Sequence, residues 1–141
     1  MKDYKIITYL SFKGDCEDAV KAYIDAFGGR ILFMSRWDEK NYEKECQIGK
    51  VMHVEFVLGE TRMAAGNTCE GDIPTRSMKL MIHMDTEEEA RKSIAILANE
   101  GKIISELKAH PAPDDGGMGS IILDKYGYTW IITCPNVRKE G

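Results

Sequence analysis

What most restricts the folding of this chain is an order of patterns that it runs through twice. Residues 6–12 (Ile-Ile-Thr-Tyr-Leu-Ser-Phe) are rich in β-branched and aromatic side chains and predict a strand. Asp15 then stands where an N-cap belongs, with Glu17 and Asp18 favouring the positive end of a helix. Cys16, Val20, Tyr23, Ile24 and Phe27 recur at helical spacing, and Gly28-Gly29 ends the run as a left-handed cap. A second strand follows at 30–37, a charged surface loop at 38–49, and a hairpin at 50–65 turning near Gly59-Glu60. After a stretch of breakers the order restarts: a strand at 78–84, and Thr86 with Glu89 at capping-box spacing. Ala90, Ile94, Leu97 and Ala98 form a helical stripe closed by Gly101, before a strand at 102–107 and a Pro/Gly/Asp-rich loop at 110–119. A last hairpin turns on Asp124-Lys125-Tyr126-Gly127.

The pattern is therefore strand–helix–strand–loop–strand–strand, twice. Either unit alone is too small to bury a sheet face well. Pairing the two predicts an α+β fold: curved, barrel-like mixed sheets with helices outside and a cavity within. We expect a single domain over 1–141, with module one at about 5–66, a linker at about 67–77 and module two at about 78–134.

The first hairpin carries the chemistry. Side chains of a strand alternate between faces. Met52, Val54, Phe56 and Leu58 predict an apolar face under a helix, and Val51, His53, Glu55 and Val57 a face toward the cavity.

Composition narrows the function classes. A hydrophobic fraction of 43% and a charged fraction of 30% are those of a globular protein. A net charge of −4 with scattered Lys and Arg argues against a nucleic-acid partner. No apolar run is long enough for a bilayer, and no signal-peptide core opens the chain, so a cytoplasmic location is expected. Cys16, Cys46, Cys69 and Cys134 form no close pair in sequence and predict reduced thiols.

Three separated stretches carry a family resemblance: 9–20 with Tyr23 and Phe27-Gly28-Gly29; Met52-His53-Val54-Glu55-Phe56 with Gly59; and 124–132 (Asp-Lys-Tyr-Gly-Tyr-Thr-Trp-Ile-Ile). Together they resemble the PhnB-like branch of the vicinal oxygen chelate superfamily, alongside glyoxalase I, bleomycin-resistance proteins and extradiol dioxygenases. The resemblance implies paired βαβββ modules, a homodimer, and ligand pockets in the curved sheet. It places the superfamily's metal ligands at Ile7, at Met63, Ala64 or Ala65, near Lys79 and at Ile131. None of these is a His, Asp or Glu, so the usual metal site is absent and no cofactor is expected. Some relatives carry a methyltransferase label, but nothing in the chain resembles a methyl-donor site.

Four residues are ligand-pocket candidates. His53 and Glu55 could act as base and acid or orient a polar ligand; the plainer alternative is a hydrogen-bonded His and a Glu at a solvated cavity mouth or dimer interface. His83 shares a face with Lys79 and Met81, and could lie across the cavity or simply be satisfied by the backbone. Tyr9 is the aromatic expected to face the cavity, whereas alternation puts Trp130 under a helix. The loops at 38–49 and 110–119 are candidate lids, with Gly116, Gly117 and Gly119 as hinges in the second. The leading expectation is a small-molecule-binding protein without the usual metal, its cavity lined by Tyr9, His53, Glu55 and His83; whether it is an enzyme is left open. The alternative is a glyoxalase- or dioxygenase-type enzyme with a relocated metal at His53, Glu55 and His83.

Overall fold

The structure is a computed structural model and describes residues 5–70 and 76–137. It divides into two compact units, Met1–Asp72 and Ile73–Gly141. The first contains β1 (Tyr9–Phe12), α1 (Cys16–Phe27), β2 (Gly29–Arg36), β3 (Val51–Leu58) and β4 (Thr61–Asn67). The second contains β5 (Leu80–His83), α2 (Glu87–Ala98), β6 (Lys102–Ala109), β7 (Gly117–Leu123) and β8 (Thr129–Pro135). Each unit is thus one βαβββ module with a four-stranded mixed sheet, in the orders β1-β4-β3-β2 and β5-β8-β7-β6. In both, the strand before the helix pairs parallel with the last strand, and the other pairs are antiparallel. The repeat read from residue patterns is a repeat of topology.

One face of each sheet is apolar because a helix covers it. In the first module Leu10 and Phe12 of β1, and Val54, Phe56 and Leu58 of β3, are buried with Val20 and Tyr23 of α1. In the second, Ile122, Trp130, Ile132 and Cys134 are buried with Ala90, Ile94 and Leu97 of α2. Trp130 lies on the helix side, as alternation expects. Burying a large aliphatic or aromatic side chain contributes about 1.5–3 kcal/mol, so these rows fix which way each strand faces. The alternation in β3 fails at one place. A register shift between Ser35 and Arg36 leaves Val51 buried at 1% exposure, where strict alternation had put it with His53 and Glu55.

The two helices begin differently. Thr86 Oγ1 accepts from the Glu89 amide at 3.1 Å, the capping contact the sequence predicts. Asp15 occupies the N-cap position of α1 but makes no side-chain cap. Asn67 Oδ1, at the end of β4, accepts instead from the Gly14 amide at 2.8 Å and the Cys16 amide at 3.0 Å. Asn67 therefore belongs to the sheet rather than to a linker; the part of the expected linker at 71–75 lies outside the described residues.

Helix ends differ too. Gly28, with φ 79°, stops α1 as expected. Past α2 the left-handed residue is Glu100, at φ 60°, not Gly101. Gly101 is required for a different reason, since a β-carbon there would run into the Leu123 carbonyl. β1 starts only at Tyr9, where the chain meets Ala64 of β4, and Ile6 is fully exposed.

Two further expectations are corrected. β7 begins at Gly117, so Gly117 and Gly119 are held in strand pairing and cannot serve as loop hinges. Cys46 and Cys69 are not reduced thiols; they are joined in a disulfide, with Cα atoms 6.1 Å apart. Folding brings the loop after β2 against the exit of β4, a proximity that sequence spacing does not reveal. Cys16 and Cys134 are free and buried. Among the described residues no helix is long and apolar enough to cross a membrane.

Candidate functional site

The face of the first sheet turned away from α1 is assembled from one residue in two on each strand. Tyr9 pairs with Ala64, Ala64 with Glu55, and Glu55 with Phe33, so these four form one row across the sheet. Ser11 pairs with Gly66 and Ser35 with His53 in the row beside it. The centre of the face is therefore a floor of small residues, Ala64 and Gly66, with larger side chains standing around it. Gly66 is needed there, because a β-carbon would fall on the Tyr9 hydroxyl and come within 2.7 Å of the Met52 carbonyl oxygen.

Around the floor the side chains touch in a defined order. The Tyr9 ring stacks with the His53 imidazole at 5.8 Å between centroids, with 24° between planes. Phe33 flanks the other side of His53 at 5.7 Å. Tyr9 and Phe33 keep about half of their surface exposed, at 50% and 48%. His53 Nε2 meets Glu55 Oε2 at 3.1 Å, and the Arg62 guanidinium reaches Glu55 Oε1 at 2.7 Å. The His53 hydrogen bond first, and then Arg62, hold the Glu55 carboxyl below its ordinary range. An ionised carboxylate only accepts, so the hydrogen on His53 Nε2 donates to it. In the neutral imidazole Nδ1 is then the basic nitrogen. Burial, followed by the neighbouring Cys16, pushes the Tyr9 phenol above its usual value, which keeps it a neutral hydroxyl.

The structure thus brings three of the four expected residues together, Tyr9, His53 and Glu55, and adds Phe33 and Arg62. Arg62 was legible in principle. Folding the hairpin about Gly59-Glu60 sets it opposite Val57, one pleat from Glu55. Phe33 had no such signal, because a register shift in β2 decides which way it points.

His83 lies on the second sheet, on the face turned away from α2. Its Nδ1 meets the Thr133 hydroxyl, a side-chain partner rather than the backbone one considered above. Thr133 pairs with His83 on one side and with Gly119 on the other. The His110 ring lies over β7, its Cε1 only 2.6 Å from where a β-carbon on Gly119 would stand. His83 and His110 both line a cavity of about 540 Å³ on this module.

The donors present do not fit the superfamily's metal. Ile7, Ala64, Lys79 and Ile131 offer no imidazole or carboxylate, and both Glu55 oxygens are engaged by His53 and Arg62. Among the described residues no three His, Cys, Asp or Glu side chains are gathered closely enough to hold an ion.

A family model described as 3-demethylubiquinone-9 3-methyltransferase matches residues 4–133. The chain belongs to this family. Among solved structures, the PhnB protein of Bacillus cereus, described as a 3-demethylubiquinone-9 3-methyltransferase, is 30% identical, with 93% of this chain and 99% of that one covered at a TM-score of 0.80. Likeness of fold extends to a glyoxylase/bleomycin resistance protein/dioxygenase domain from Frankia sp. at 11% identity, 96% and 94% coverage and a TM-score of 0.67. It extends also to the fosfomycin resistance protein FosX of Mesorhizobium loti, at 9% identity, 99% and 98% coverage and a TM-score of 0.64. No curated protein sequence matches the chain. This PhnB-like family member thus has the glyoxalase/bleomycin-resistance fold of the vicinal oxygen chelate superfamily, as its three sequence stretches imply.

Proposed function

We propose that this PhnB-like chain binds a small organic molecule on the open face of its first sheet, without the superfamily's usual metal. The observation that carries the reading is the His53–Glu55–Arg62 chain set beside two half-exposed aromatic rings over a small-residue floor. Binding sites are mostly apolar with a few fixed polar groups, and this face has that composition. Tyr9 and Phe33 offer ring surface to the apolar part of a ligand. Ala64 and Gly66 leave it room, and the exposed side of Arg62 with the His53 imidazole can meet its polar group. Glu55 acts by positioning, since its carboxylate holds both the imidazole and the guanidinium in place. Methyl transfer, the activity in the family's description, would require a donor site as well, and we propose none. A homodimer, which the resemblance implies, and the cytoplasmic location expected from the sequence complete the proposal.

Native mass spectrometry of protein purified without denaturation tests it. A small molecule held by the wild type and lost in Tyr9→Ala and Glu55→Gln, both still folded, is the expected result. Equal ligand content in wild type and variants would overturn the site. Elemental analysis after metal reconstitution is the second arm. Stoichiometric metal that disappears in His53→Ala would overturn the metal-free reading.

A further inference from the structure

We propose that the second module carries a binding site of its own, for a small aromatic molecule bearing a single anionic group such as a carboxylate. This inference does not rest on the first-sheet reading. The cavity of about 540 Å³ is of the size that small ligands occupy, and its walls divide into two kinds. Met81, Met84 and Met118 with Ile131 make one part apolar. Thioethers are polarisable and adapt to flat rings, so this part suits an aromatic body.

The polar part is a pair of imidazoles. Thr133 holds His83 through Nδ1, which leaves Nε2 for a ligand. His110 reaches the same cavity by another route. β3, the third strand in its sheet's order, supplies its own imidazole from His53. β7, the third strand in the second sheet's order, has glycine at 117 and 119 instead, and the His110 ring from the preceding loop lies over them. A side chain at Gly119 would displace that ring. A His83 imidazolium donates Nδ1–H to the Thr133 hydroxyl, which itself donates to the Ile82 carbonyl, and Nε2–H to the cavity, where it and the His110 imidazole can both donate to one anionic oxygen pair. Among the described residues no three His, Cys, Asp or Glu side chains are gathered closely enough to hold a cation. Cys134, also on the wall, remains a neutral thiol because burial raises its pKa. Asp85 lines the same cavity and repels each negative group of a ligand, a cost that grows with ligand charge and so favours a monoanion over a dianion.

The chain has three histidines, so each imidazole is a separate reporter. Long-range ¹H–¹⁵N spectra of the imidazoles would be recorded during titration with benzoate, with phthalate and with benzyl alcohol. Benzoate should shift the His83 and His110 signals saturably, and the His110→Ala and Gly119→Val variants, their folds verified by backbone spectra, should each bind it at least ten-fold more weakly. Phthalate and benzyl alcohol should also bind at least ten-fold more weakly. Benzoate shifts confined to His53, or no saturable shift at His83 and His110, would overturn the second site. Phthalate binding as tightly as benzoate would overturn the ligand class.

Discussion

The two modules share one topology and differ in how each is held at its critical points. In the first, α1 starts on a distant side chain, Asn67, and the open face is a chain of charged and aromatic groups from four strands. In the second, α2 is capped by its own Thr86, and the last hairpin is tied by a residue within its own turn. Asp124 is 4% exposed; its Oδ1 accepts from the Tyr126 and Tyr128 amides at 2.9 Å each, and its Oδ2 from Trp130 Nε1 at 3.0 Å. The turn thereby fixes the Trp130 ring beneath α2. The first module spends long-range contacts where the second spends local ones. What this teaches is that topological repetition does not require the same residues to do the same work, only that each buried polar group and each helix start be satisfied.

The largest expected effect tests the local knot. Asp124→Ala leaves two turn amides and a buried indole N–H without their acceptor, and should cost about 3–5 kcal/mol in urea unfolding. Asp124→Asn keeps one acceptor oxygen and should lose clearly less. Equal losses would mean that the oxygen kept for the turn amides contributes nothing, and no loss in Asp124→Asn would mean the same of the indole bond.

A smaller effect separates the two helix starts. Asn67→Ala removes the acceptor for two amides at once and should cost about 1–2 kcal/mol, against about 1 kcal/mol for Thr86→Ala. Hydrogen exchange should then rise at residues 14–18 in the first variant and at 87–90 in the second. If Asn67→Ala left exchange in α1 unchanged, the long-range cap would be structural ornament and the comparison would fail.

The smallest effect is a pH dependence confined to the first module. Glu55 has a folded pKa lowered by His53 and then Arg62. Its contribution to stability is therefore fully present above the ordinary unfolded carboxyl value of about 4.3, and is lost as pH falls through the lower folded value. Thermal unfolding of wild type and Glu55→Gln should differ by a constant amount from neutral pH down to about pH 5 and converge below about pH 4. A gap that persisted at low pH would mean that Glu55 acts through packing rather than charge.

Much of this was readable before any coordinates. The two helices, their apolar stripes, the hairpins and their turns all follow from periods of 3.6 and 2 and from local capping chemistry. So did the shared face of His53 and Glu55, because residues two apart on a strand point to the same side. Two of the family stretches lie where turn and helix-start geometry demand particular residues, and the other lies within β3. What sequence could not decide were contacts made across the sheet or between loops. Asn67 capping α1, Phe33 beside His53, His110 laid over Gly119, and Cys46 bonded to Cys69 each join residues distant along the chain. Their proximity depends on strand order, on the register shift in β2 and on where side chains are missing. Local periodicity sets which face a residue takes; only the packed sheet sets which residue stands next to it.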